Sequence, residues 1–154
     1  MASRAAASSE TGIQEYRKEQ FLITTDRAKL DVDSIHAFLS QSFWDSKGIS
    51  RETVERAIGK SLCFGVYDGP QQIGFARVVT DGATFAYLCD DYILEGYRGR
   101  GLGKWLMECI LSHPELQGLH RWVVVTRDAR LYQKVGFGPL KEPETYLEMV
   151  GRNN

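Results

Sequence analysis

The sequence predicts an α/β fold with a mixed, largely antiparallel central sheet flanked by helices. Three observations carry that expectation. Two Asp-Gly pairs, Asp68-Gly69 and Asp81-Gly82, separate three apolar runs, as the turns of an antiparallel meander do. A loop with three glycines, residues 95–101, then divides the third run from a segment of helical periodicity. A further β-prone run follows that helix, so one crossover must join two strands of the sheet.

In order, Phe21 to Thr25 is a short β-prone run. Asp31 or Asp33 can cap a helix whose apolar positions are Val32, Ile35, Phe38, Leu39 and Phe43, spaced by three and four. Ser50, followed by Glu52 and Thr53, opens a second helix through about Gly59. Leu62–Tyr67, Gln72–Thr80 and Thr84–Leu94 are the strands of the meander. The third is nearly continuous in apolar and aromatic character, as a central strand should be. Leu102 to Ser112 reads as a helix with Leu102, Leu106, Cys109 and Ile110 on one face, ended by Pro114. Arg121–Thr126 is a strand, and Asp128 can cap a short helix that Gly136 stops after Lys134. Phe137–Leu140 and Tyr146–Val150 are expected to close the sheet as a final strand pair.

The chain of 154 residues is one domain's worth, assigned to 16–154, with residues 1–15 as a flexible leader. With 43% hydrophobic and 25% charged residues, wholesale disorder is excluded. Nineteen basic against 20 acidic residues leave a net charge of −1, which argues against nucleic acid and against a polybasic membrane contact. No apolar run approaches the ~18 residues of a spanning helix. Cys63, Cys89 and Cys109 are far apart and odd in number, and His36, His113 and His120 form no metal-binding pattern. No metal is expected, and free thiols in a reducing cytoplasm fit best.

The informative segment runs from Tyr92 to Lys104, where a central strand passes through glycines into a helix N-terminus. The first turn of a helix has amides without partners, and its dipole end is positive. Gly99, Gly101 and Gly103 let backbone approach an anion, and Arg98, Arg100 and Lys104 add charge, which together make a pyrophosphate cradle. The Walker spacing fails, because Lys104 is followed by Trp105. The dinucleotide spacing fails too, because Lys104 stands where its third glycine belongs.

The spacing that fits is Arg/Gln-x-x-Gly-x-Gly/Ala, from Arg98 through Gly101 to Gly103, and a second pattern, Leu131-Tyr132 with Gly136-Phe137, follows it. Together these resemble the coenzyme A signatures of the GNAT superfamily of acyl-CoA N-acyltransferases, over about residues 20–150. The resemblance implies a sheet splayed near its central strand. It implies acetyl-CoA as cosubstrate, its pantetheine arm along Tyr92, Ile93 and Leu94, and its pyrophosphate on Arg98, Gly99, Arg100, Gly101, Leu102, Gly103 and Lys104. It also implies Tyr132 as the general acid. Here Ala129-Arg130-Leu131-Tyr132 is one residue shorter than the usual form, which leaves Asp128 between a pantetheine contact and a plain helix cap.

Acyl transfer to an amine needs a base, donors for the oxyanion and a proton for the leaving thiolate. Asp90 and Asp91 precede the cofactor edge on the central strand, and alternation lets only one face the cleft. A water chain leads as the base, with Asp91 the side chain taken next and Asp90 behind it, and Glu95 is left to solvent. Oxyanion donors are expected among backbone amides at a splayed or bulged point near Ile93 or Leu94. Phe43, Trp44 and Tyr87 are candidate walls for the acceptor, a small-molecule or peptide amine. A homodimer stays open, as does a non-catalytic coenzyme A-binding module of the same fold.

Overall fold

The computed structural model describes residues 4–5, 12–42 and 47–151. The elements are β1 (Arg4–Ala5), β2 (Glu15–Lys18), β3 (Phe21–Thr24), α1 (Val32–Ser42), α2 (Arg51–Gly59), β4 (Leu62–Asp68), β5 (Gln71–Thr80), β6 (Phe85–Ile93), α3 (Leu102–Ser112), β7 (Arg121–Val124) and α4 (Arg130–Lys134). Among the described residues, seven strands form one sheet in sequence order. Every neighbouring pair from β1 to β6 is antiparallel, and only β6 and β7 run parallel, joined through α3. No helix among the described residues is long and apolar enough to cross a membrane.

The helices cover opposite faces. On one, Ile35 and Leu39 of α1 and Val54 and Ile58 of α2 bury their side chains with Cys63, Phe75 and Tyr92. Each pair is spaced by four, so each lies on one side of its helix. Each such residue contributes about 1.5–3 kcal/mol of burial. On the other face, α3 packs Leu102, Leu106, Cys109 and Ile110 with Phe64, Ala76, Val78 and Leu88. The caps of α1 and α2 follow the expected residues, whereas Ala129, and not Asp128, is the N-cap of α4. The Asp31 carboxylate accepts the Ser34 amide at 3.1 Å, and the Ser50 hydroxyl accepts the Thr53 amide at 3.1 Å. Asp81 holds its turn by accepting the amides of Ala83, Thr84 and Phe85 and the Thr84 hydroxyl. These donors keep its carboxyl well below the usual range, the Thr84 hydroxyl most of all.

Both ends of the chain depart from expectation. The segment assigned to a leader contributes to the sheet, with Arg4 and Ala5 opposite Arg17 and Tyr16. The turn between β2 and β3 places Glu19 at φ 54°. That turn lacks the Gly, Asn or Asp that marks a left-handed position, so β2 left no turn signal. The expected final strand pair does not form. Beyond β7 the described chain has only α4 and a 3₁₀ turn, Pro143–Thr145. Pro139 and Pro143 withhold ladder donors there, and Leu147 is 96% exposed rather than packed.

His113 ends α3 as a buried side chain. Its Nδ1 accepts the Glu115 amide at 3.1 Å, its ring stands edge-on to Phe64, and its Nε2 has no hydrogen-bond partner in the structure. Burial lowers its pKa below the ordinary 6.5, against a smaller opposing effect of Glu115. The unfolded chain therefore gains a proton near pH 6.5 that the folded chain resists. The stability present above pH 6.5 falls as pH drops through the folded value, by at most about 1.4 kcal/mol per pH unit. Urea unfolding between pH 7.5 and 5 should show this loss, and His113→Asn, which keeps an acceptor for Glu115 but does not titrate, should flatten it.

Candidate functional site

The sheet opens where its one parallel joint ends. Phe85–Leu88 pair with Arg121–Val124, and the ladder between β6 and β7 stops there. The edge of β6 from Cys89 to Ile93 then faces a cleft of about 820 Å³. Arg98, Gly99 and residues 101–104 form one wall of it and residues 125–128 another, with Leu131, Tyr132 and Lys134 of α4 beside them.

The loop from β6 to α3 is shaped by two glycines in the left-handed region, Gly99 at φ 81° and Gly101 at φ 77°. Gly101 is the N-cap of α3. The first helical bond runs from the Trp105 amide to the Gly101 carbonyl, so the amides of Leu102, Gly103 and Lys104 have no partner within the helix. Gly103 has a different role. It is helical, and a Cβ there would meet Leu131 Cδ2 at 3.5 Å, an ordinary contact.

Of the residues expected to hold the cofactor, Leu94 and Arg100 do not line the cleft. The Leu94 amide turns back to the Ile73 carbonyl at 2.8 Å, and the Arg100 guanidinium lies over the Tyr97 ring at 5.3 Å. Arg98 does line it, but its Nε donates to the Ile93 carbonyl at 2.9 Å, so this side chain also ties the loop to the strand. Tyr97 anchors the loop from behind, donating to Asp68 at 2.9 Å.

The strand edge is set by a bulge. Between the pairs Phe75↔Tyr92 and Arg77↔Cys89, β6 carries one residue more than β5. Asp90 takes up the difference at φ 57°. The alternation of side chains reverses across it. Asp90 turns to the α1–α2 face, where the Arg77 Nε donates to its Oδ2 at 2.8 Å and Arg77 also reaches the Ser61 hydroxyl at 3.1 Å. Tyr92 points the same way and stacks on Phe38, centroids 3.8 Å apart, so only its backbone serves the edge. Asp91 points to the α4 side and accepts a short hydrogen bond from the Tyr132 hydroxyl. The bulge thus lies at Asp90, ahead of the position near Ile93 or Leu94 that was expected.

Tyr132 and Asp91 share a buried site, and each is shifted by it. Burial raises the Asp91 carboxyl above its usual range, against the Tyr132 hydrogen bond. Burial, then the Asp91 charge, raises the Tyr132 phenol far above 10. Cys89 lines the same cleft, and burial pushes its thiol up to about 12. Asp128 is committed elsewhere, since its carboxylate takes both the amide and the guanidinium of Arg130, which hold it down to about 2.

Known proteins share this architecture. The acetyltransferase (GNAT) domain profile matches residues 59–139. The chain belongs to the GNAT acetyltransferase family. A GNAT-family protein of Xanthomonas campestris has a crystal structure that superposes with a TM-score of 0.84, at 43% identity, over 88% of this chain and 96% of that one. A protein of Gibberella zeae that carries an acetyltransferase name is 34% identical, over 75% of this chain and 76% of its own. A GNAT-family acetyltransferase of Elizabethkingia anophelis, solved with acetyl-CoA bound, shares the fold at a TM-score of 0.61 and 16% identity, over 88% of this chain and 91% of that one.

The second GNAT signature has a local physical basis here. The Phe137 amide returns to the Tyr132 carbonyl at 3.0 Å, and the Gly136 amide to Gln133 at 3.3 Å, with Gly136 at φ 113°. This closes α4 and folds Phe137 back edge-on against the Tyr132 ring, centroids 6.0 Å apart. The glycine fixes the turn, and the phenylalanine fixes the tyrosine. Sequence reasoning missed Lys134, which adds a cation to the cleft, and Phe38, which holds Tyr92. Lys134 sits two residues after the signature tyrosine, at the end of α4, and its charge beside that motif was its only signal. Phe43 and Trp44 lie outside the described residues. Gly136→Ala should cost about 1–2 kcal/mol, because φ 113° is strained for any Cβ-bearing residue, and urea unfolding measures it.

Proposed function

We propose that the protein transfers an acetyl group from acetyl-CoA to a primary amine by direct attack, with Asp91 and Tyr132 as one acid–base couple. The observation that carries this reading is the Tyr132–Asp91 hydrogen bond, set between the open edge of β6 and the N-terminus of α3. The cleft suits the cosubstrate in its own chemistry. Two left-handed glycines leave room for a pyrophosphate, three helix amides await an anion, and Lys104 and Lys134 add charge. The edge of β6 past Leu88, which β7 leaves unpaired, suits the amides of a pantetheine arm. Acetyl-CoA, when bound, supplies an activated thioester carbonyl and a thiolate leaving group.

The residues of the chain do the proton work. Asp91, raised by burial, is a stronger base than an ordinary carboxylate and takes the proton the amine loses. Tyr132 donates to the departing sulfur and is restored through its hydrogen bond to Asp91, so the amine's proton ends on the thiol. With its proton so firmly held, Tyr132 works as an acid only because it is placed beside its acceptor. A covalent route through Cys89 is disfavoured, since a thiol near 12 is ionised to only about one part in 10⁵ at neutral pH.

Tyr132→Phe should lower kcat by roughly 10²–10⁴-fold with little change in the acetyl-CoA KM, the usual range for a positioned acid. A rate within about two-fold of wild type, with an unchanged pH profile, would remove Tyr132 from the mechanism. Asp91→Asn should lower kcat comparably and abolish the acid limb of the kcat/KM profile. That limb should lie above the ordinary carboxylate range, because burial raises Asp91. Coenzyme A release with a panel of amines separates an enzyme from a module that only binds the cosubstrate.

A further inference from the structure

The bulge in β6 can sit at either of two residues. Leu88 before it and Ile93 after it are buried in the core beneath α3, and Tyr92 is buried beneath α1 and α2. These three anchors demand one extra residue between Cys89 and Tyr92, and they do not choose between Asp90 and Asp91. With Asp90 extra, Asp91 stands across from Ala76 and meets Tyr132. With Asp91 extra, Asp90 would stand there instead. Aspartate tolerates left-handed backbone better than most residues, so the backbone does not decide either.

One side chain distinguishes them. Arg77 is paired with Cys63 of β4 and Cys89 of β6, so strands on both sides fix its direction. Its Nε donates to Asp90 Oδ2 at 2.8 Å, and a terminal nitrogen donates to the Ser61 hydroxyl at 3.1 Å. That hydroxyl donates in turn to the Ala57 carbonyl of α2 at 2.7 Å. Arg77 and Asp90 are each less than one-fifth exposed, and a carboxylate so buried stays where its cation is. Lys47 lines the cavity beside Asp90 but is exposed, and a solvated ammonium holds a carboxylate weakly. We propose that Arg77 is a positioning residue: by holding Asp90 toward α2 it leaves Asp91 as the partner of Tyr132. The consequence for turnover rests on the acetyl-transfer reading, and the register itself does not. Without the guanidinium, Asp90 would be a buried carboxylate short of its donor, and Tyr132 offers it another. The bulge then moves to residue 91.

The test is suppression, read as coenzyme A release with the amine of the panel that the wild-type protein uses. Asp91→Asn removes the carboxylate at Tyr132. Arg77→Met added to it frees Asp90 to take that place, and should raise kcat roughly ten-fold or more above Asp91→Asn alone, with the acetyl-CoA KM unchanged. Arg77→Lys keeps a cation and should restore less than about two-fold. Loss of a merely structural contact restores nothing, so a poorly folded protein cannot mimic the expected result. A crystal structure of Arg77→Met/Asp91→Asn should show the Asp90 carboxylate on the Tyr132 hydroxyl. If Arg77→Met prevents folding, Arg77→Gln, which keeps a donor for Ser61, takes its place in both measurements. No gain in kcat, or an equal gain with Arg77→Lys, overturns the proposal, as does Asp90 still on the α1–α2 face. Coenzyme A release with no amine, while calorimetry shows acetyl-CoA bound, overturns the acetyl-transfer reading alone, and the crystal structure then decides the register.

Discussion

The site depends on one extra residue in β6. The bulge at Asp90 inverts the facing of everything after it on the strand. Without it, Asp91 would point at the α1–α2 face and Asp90 at Tyr132, and Tyr92 would leave the stack with Phe38. The strain of a left-handed aspartate, of order 1–3 kcal/mol, is offset by the ion pair that its new direction allows with Arg77. The same inversion divides two adjacent carboxylates between two environments. One becomes a neutralised structural anion, and the other a buried group raised and bonded to a phenol.

The second constraint is the early end of the parallel ladder. Four residue pairs hold β7 to β6, and past them the strands separate. A separated strand leaves main-chain donors and acceptors facing a cavity, a cost a folded protein tolerates where something else will pair with them. The helix that follows supplies the complementary feature at the same end of the cleft, amides with no helical partners and a positive dipole end. Strand edge and helix end are joined by the loop that Arg98 ties to Ile93 and Tyr97 ties to Asp68. The cradle's shape is therefore fixed from both its ends.

Much of this was legible in the sequence, for physical reasons. Helix α3 was read to its boundaries because a glycine precedes it, a proline follows it and four apolar residues mark its inner face. The meander was legible because Asp-Gly is a strong turn signal. Tyr132 was legible through its fixed distance to Gly136 and Phe137, and the closure of α4 explains that distance. The bulge was not, because Cys89-Asp90-Asp91 contains no glycine to announce a left-handed residue. Nor was β2, whose turn hides its positive φ in Glu19. Arg100 looked like a phosphate ligand from its charge alone, whereas its direction depends on an aromatic neighbour that charge counting does not see. The final strand pair does not form although apolar residues recur there, because two prolines beside them withhold ladder donors.

The single parallel joint also bears on the order in which the molecule comes into being. Within β4–β6 each strand pairs with the one before it across a short turn, whereas β3 meets β4 only after residues 25–61, which hold α1 and α2. The β6–β7 joint must wait for residues 94–120 to form α3 and fold back across the sheet, and long-range parallel pairing is slow. The cleft therefore depends on a long-range closure that the β4–β6 meander does not need. A molecule that bridges the two sides of the cleft thus stabilises the folded sheet as well as occupying the site.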